Sequence, residues 1–180
     1  LENMLEVAQI CKENGIMSIL DASLLQDNLY FMKMREPMCK DMSIKDIMHK
    51  LGKVMDIIYF SARKLSFARG GAIISNNESY ILKMKEFIPL YEGFLTYGGM
   101  EVRSMEAMAV GLRETLDFEY ICQGPQFIQY LVDELDKYGI PVVKPAGGLG
   151  AHIDARAILP HIPQSQYPAA ALATALYIAS

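Results

Sequence analysis

The run Ile57-Ile58-Tyr59-Phe60-Ser61-Ala62-Arg63-Lys64 most constrains what this chain can fold into, because an apolar, strand-like stretch stops abruptly in a hydroxyl and two cations. Such a run reads as a strand buried in a sheet that delivers a lysine at its carboxyl end. Desolvation disfavours the ammonium form, and a cationic neighbour such as Arg63 disfavours it further, so an amine here could act as a nucleophile near neutral pH. That is the chemistry of a Schiff-base lysine. The competing reading is a lysine that ends a strand and points into water.

The segments before it supply a partner strand. Met4, Val7, Ala8 and Cys11 mark one face of a helix that Gly15 terminates. Ile16-Met17-Ser18-Ile19-Leu20 then reads as a buried strand with Asp21 at its carboxyl end. Ser23 is placed to cap a helix through Leu24, Leu25, Leu29 and Met32, which Pro37 closes off. A second helix begins at Ser43, whose partner Asp46 resembles a capping box, and ends near Gly52. From Asp21 to Val54 the chain therefore makes a helical crossover between two apolar strands, a connection that joins parallel neighbours. Asp21 and Lys64 then both lie just beyond the carboxyl ends of parallel strands, the edge where open α/β sheets place their ligands.

Downstream, Gly70-Gly71 permits a sharp turn into a further strand at 72–75, and Asn76-Asn77 turns into a helix starting near Glu78. Pro89 should kink or shorten that helix. The loop Thr96-Tyr97-Gly98-Gly99 carries an aromatic hydroxyl on flexible backbone and leads into a helix marked by Met105, Met108, Ala109 and Leu112, methionines that read as core. Phe127, Leu131 and Leu135 signal another helix. Gly124-Pro125 should impose a kink or break at its start, and Gly139 should end it. Short strands are expected at 140–143 and 151–154 in a smaller second domain, with the glycine cluster at 147–150 as a tight turn between them. Pro168 suits the first turn of a last helix.

Composition narrows the class. With 180 residues, 52% of them hydrophobic, and a formal net charge of −4, the chain fits a soluble globular α/β body. Its basic residues are scattered, so neither a nucleic-acid footprint nor a polybasic membrane patch is expected. Cys11, Cys39 and Cys122 show no Cys-x-x-Cys spacing, and His49, His152 and His161 share no ligand spacing with them, so no metal site is expected. No apolar run reaches the roughly 18 residues of a membrane span, and residues 1–6 lack the basic start of a signal peptide, which leads to a cytoplasmic expectation. Leu1 is not an initiator methionine and 169–180 reads as a helix still under way, so an excerpt of a longer chain is expected.

The residues that carry chemistry also carry a likeness. The chain resembles the tyrosine phenol-lyase and tryptophanase family of β-eliminating pyridoxal-phosphate enzymes in Asp21-Ala22-Ser23 with Asn28-Leu29-Tyr30-Phe31, in Ser61-Ala62-Arg63-Lys64, in Tyr91-Glu92-Gly93 with Thr96-Tyr97-Gly98-Gly99, and in the stretch from Met105 to Glu114. The likeness continues through Gln129-Tyr130-Leu131, Gly147-Gly148, Asp154-Ala155-Arg156, Pro160-His161 and Pro168-Ala169, so it spans nearly the whole chain. It implies a fold-type-I architecture: residues 1–116 as part of a large cofactor-binding domain with a mainly parallel sheet, and 117–180 as a linking helix and part of a smaller α+β domain. It also implies roles. Lys64 takes the position of the Schiff-base lysine and Asp21 that of the aspartate pairing with the pyridine nitrogen. Ser61 and Arg63 take the hydroxyl and basic positions beside the phosphate, and Tyr97 that of an active-site tyrosine. The implied substrate is a small molecule, an aromatic L-amino acid, and the implied assembly a homo-oligomer, dimer or tetramer.

Three departures qualify the likeness. Leu24 stands where the family has an arginine contacting the cofactor's 3-oxygen, and leucine offers no hydrogen bond. The segment before Gly70 is one residue shorter than the family's, in the loop that contributes to a monovalent-cation site, and Arg69 puts a positive charge there, which argues against a potassium requirement. Gly124-Pro125 enters a helix that is unbroken in familiar members. Three readings follow: a lyase for aromatic L-amino acids, a lyase for another β-substituted amino acid such as cysteine, or a non-catalytic paralogue.

Overall fold

The computed structural model describes residues 1–96 and 99–180. The chain divides into two compact units, Leu1–Cys122 and Gln123–Ser180.

In the first unit the elements run α1 (Glu2–Glu13), β1 (Ile19–Asp21), α2 (Leu25–Arg35), α3 (Ile44–Val54), β2 (Ile57–Ser61), α4 (Ala62–Leu65), β3 (Gly71–Ile74), α5 (Glu78–Lys85), α6 (Ile88–Tyr91), α7 (Val102–Glu114) and α8 (Phe118–Ile121). β2 is central. It pairs in parallel with β1, with Asp21 opposite Tyr59, and antiparallel with β3, with Ser61 opposite Gly71. The parallel pair is the one the crossover requires; the antiparallel strand makes this part of the sheet mixed.

Local chemistry explains the boundaries. α1 ends ahead of Gly15, which adopts φ +64°. At α3 the Asp46 amide donates to Ser43 Oγ at 3.1 Å and the Ser43 hydroxyl donates to the Asp46 carboxylate at 2.6 Å, a reciprocal cap of the expected kind. Asn77 caps α5 by accepting from the Ser79 amide at 3.0 Å. Pro89 lies in the first turn of α6, so the expected interruption appears as a separate short helix.

The core packs on one sheet face. Leu20, Ile58, Phe60 and Ala72 from the strands meet fully buried Leu29, Ile47 and Leu51 from α2 and α3, with Leu65 and Ile121 completing the cluster. The opposite face presents Ile19, Tyr59 and Ile73, each exposed. These alternate with the core-facing set, as the two-residue period of a strand demands.

In the second unit, α9 (Gln123–Lys137), α10 (Ala155–Ile158) and α11 (Pro168–Ala179) surround irregular chain. The expected break at Gly124-Pro125 falls just ahead of them, because α8 stops at Ile121 and α9 starts at Gln123. Pro125 then sits in the first turn of α9, where a backbone donor has no intrahelical acceptor to lose. Gly139 follows α9 with φ +73°. The two expected strands reduce to a single antiparallel bridge, Val142 with Ile153, supported by the Val143 amide donating to the His152 carbonyl at 2.9 Å. Pro141 and Pro145 flank that segment and cannot donate, which limits the ladder to one rung.

Candidate active site

β1 and β2 deliver their last residues to one edge. Asp21 ends β1, and Ser61 ends β2 and leads directly into α4, the short helix that holds Arg63 and Lys64. The parallel ladder continues past Asp21, with the Ala22 amide donating to the Tyr59 carbonyl at 2.8 Å. The crossover thus brings Asp21, Ser61, Arg63 and Lys64 together at the carboxyl edge.

Ser23 ties the edge together. The sequence reads it as the cap of α2, but α2 starts at Leu25 with Leu24 at the cap position and no side-chain cap. The Ser23 hydroxyl oxygen accepts instead from the Ser61 amide at 3.1 Å, while the Ser23 amide donates to Asp21 Oδ1 at 2.9 Å. The reason is tertiary. The strand end of β2 presents an amide that Ser23 satisfies, and that bond outcompetes the local cap.

Hydrogen bonding from the Ser23 side chain, then from its backbone, holds the Asp21 carboxyl below the usual aspartate range; Tyr59 and the nearby Lys64 charge act in the same direction. The same contact with Asp21 pushes the Tyr59 phenol above its ordinary value. Asp21, like any aspartate not raised by burial, is an ionised carboxylate near neutral pH, and it lies within electrostatic reach of the Lys64 amine. Ser23 and Tyr59 are the site residues that sequence reasoning missed. The signal for Tyr59 was its place in the strand, two residues before Ser61.

The expectation of a desolvated lysine is not met in these 180 residues. Lys64 and Arg63 are exposed, on a helical turn beyond the strand, and β2 itself is only partly buried. An apolar run implies a strand with both faces covered, whereas here one face is open. Tyr97 lies outside the described residues. Arg69 lines a cavity of about 730 Å³ together with Tyr59, Gly70, Glu92 and Glu101. Glu101 is held below the usual carboxylate range mainly by its bond from Arg103, with Arg69 adding a smaller electrostatic contribution. Among the described residues, no group of three or more His, Cys, Asp or Glu is arranged to hold a metal ion.

The donor set fits pyridoxal phosphate. An ionised carboxylate suits a protonated ring nitrogen, a primary amine suits the aldehyde carbon, and a hydroxyl beside a guanidinium suits a phosphate. Leu24 is the exception, an apolar side chain at the turn that carries Asp21.

The fold is that of the fold-type-I enzymes. A solved structure assigned as an L-allo-threonine aldolase from Listeria monocytogenes superposes with a TM-score of 0.58 at 18% identity, covering 82% of this chain and 37% of that one. The chain belongs to the beta-eliminating lyase family, whose model matches residues 1–177. It is 40% identical over 179 residues to a tyrosine phenol-lyase of Fusobacterium nucleatum, covering 99% of this chain and 39% of that protein. It is also 40% identical over 178 residues to a tryptophanase of Hyphomonas neptunium, with 98% and 39% coverage. The chain thus spans about two fifths of the length of these curated relatives.

Proposed function

We propose that the protein containing this chain is a pyridoxal-phosphate-dependent lyase that cleaves the Cβ side chain from an aromatic L-amino acid, leaving pyruvate and ammonia. The observation that carries this reading is the meeting of Asp21 and Lys64 at one strand edge, with the Asp21 carboxyl held below the usual aspartate range by Ser23. In this reading residues 1–116 belong to the cofactor-binding domain and 117–180 to the linking helix and part of the small domain.

Asp21 would hold a proton on the cofactor's ring nitrogen, and Ser61 and Arg63 would hold its phosphate. Bound in this way, the cofactor supplies an electron sink for negative charge at the substrate Cα. Lys64 would anchor the cofactor covalently, and its amine, when free, would be placed to take the Cα proton. Departure of an aromatic ring requires a proton on its ring carbon, and Tyr97 takes the position of an active-site tyrosine in the family resemblance. Arg69 supplies fixed positive charge near Glu101, which argues against a potassium requirement. In this reading the protein is a cytoplasmic homo-oligomer, the assembly following from the family resemblance.

Leu24 favours a second reading, a lyase for another β-substituted amino acid such as cysteine. Without a donor to the 3-oxygen the site gives less help, and a better leaving group needs less. Pyruvate release by the full-length protein from tyrosine, tryptophan, cysteine and S-substituted cysteines separates the two. Release from tyrosine or tryptophan is expected. Release from cysteine substrates alone would replace the first reading with the second, and release from none would favour a non-catalytic paralogue.

A further inference from the structure

The turn that carries Lys64 is gripped from behind by one face of α7 and the residue just beyond it. Thr115, which follows α7, is fully buried, and its hydroxyl faces two carbonyls: Gly111 at 3.0 Å and Leu65 at 2.7 Å. The Gly111 contact is the ordinary one for a helical threonine, one turn back. The shorter Leu65 contact is not local. Leu65 ends α4, and its carbonyl is one of those a helix terminus leaves without an intrahelical partner.

One turn earlier, Gly111 lies against the next carbonyl of the same turn, and a Cβ at Gly111 would overlap the Ser66 carbonyl oxygen. Gly111 and Thr115 therefore engage consecutive carbonyls, at Ser66 and Leu65. The turn is also closed on itself. The Ala62 carbonyl accepts from the Ser66 amide at 2.9 Å, from the Ser66 hydroxyl at 3.0 Å and from the Ala68 amide at 3.1 Å. Phe67, with φ +51°, holds a left-handed conformation that non-glycine residues adopt only when their surroundings enforce it. Lys64 is thus an exposed side chain on a backbone fixed on both sides, between buried Ala62 and buried Leu65.

We propose that Thr115, through its hydroxyl on the Leu65 carbonyl, is a positioning residue for Lys64 that holds the amine where it reaches a cofactor paired with Asp21. This rests on the reading of Lys64 as the cofactor anchor. Loss of the hydroxyl leaves the Leu65 carbonyl buried without its donor and frees the turn to shift.

The test uses the full-length apoprotein mixed with pyridoxal phosphate, quenched with borohydride at intervals, and scored for cofactor fixed on Lys64. Thr115→Val keeps the shape and removes the hydroxyl; Thr115→Ser keeps the hydroxyl. Expected are a fall in the rate of fixation by roughly five- to tenfold in the valine variant, the factor one lost hydrogen bond is worth, and a rate like the parent's in the serine variant. Non-covalent cofactor affinity, measured in a Lys64→Ala background, should not change on adding Thr115→Val. Equal weakening in both backgrounds would make Thr115 merely structural and overturn the proposal. So would a serine variant well below the parent rate, which decides the matter even if the valine variant does not fold. No fixation on Lys64 in the parent protein is a different failure, that of the anchor reading itself.

Discussion

At the scale of single residues, the site is built from short-range bonds around Asp21. Ser23 is its main organiser, because one residue both donates to the carboxylate and accepts from the Ser61 amide, linking the ends of the two parallel strands. A carboxyl whose folded pKa is depressed contributes fully above its ordinary value and loses that contribution as pH falls through the depressed one. The acid limb of cofactor retention set by Asp21 should therefore lie below the ordinary aspartate value of about 3.9. Ser23→Ala removes the largest cause of the depression, so that limb should move to higher pH, read as bound cofactor against pH. An unchanged limb would show that Ser23 does not govern Asp21. Leu24→Arg offers a second test, restoring the missing donor beside the Asp21 turn. It should shift the absorbance of bound cofactor and raise pyruvate release from tyrosine, and no spectral change would mean that position 24 does not face the cofactor.

At the scale of elements, α7 and β3 act as supports whose close approaches depend on missing side chains. A Cβ on Gly111 would overlap the Ser66 carbonyl, and one on Gly71 the Phe60 carbonyl. Gly111→Ala should cost about 1–3 kcal/mol through forced separation of α7 from the lysine turn, measurable by denaturant unfolding. The same change at Gly52, where an added Cβ meets nothing, should be neutral or stabilising. Equal effects at the two positions would contradict the packing described. This scale also shows what the sequence makes legible. Caps at Ser43 and Asn77, stops at Gly15 and Gly139, and the parallel pairing of β1 with β2 follow from local chemistry and from the length of the crossover. Ser23 and Thr115 do not, because each spends its hydroxyl on a carbonyl or amide distant in sequence, and only the folded chain brings those partners near. Around Val142 the apolar residues read as a strand, but the flanking Pro141 and Pro145 lack the backbone donors that a longer ladder needs.

At the scale of the whole molecule, the chain's own surfaces point beyond it. Ile19, Tyr59 and Ile73 line an open sheet face beside the site, Lys64 is exposed, and the chain spans 39% of the length of the Fusobacterium relative. The full-length protein should release pyruvate, and the isolated 180-residue chain should not, since Lys64 and the sheet face beside it lie open to water, with nothing among the described residues to enclose a bound substrate. Pyruvate release by the isolated chain at the full-length rate would show that these residues suffice. The central claim is that Lys64 anchors pyridoxal phosphate opposite Asp21, and its most direct test is the visible absorbance of the full-length protein with added cofactor, followed by borohydride reduction and peptide mapping. The account predicts a visible band that disappears on reduction, with the cofactor mass fixed on the peptide containing Lys64 and no such adduct in Lys64→Ala. Cofactor fixed on another lysine, or no band at all, would contradict it.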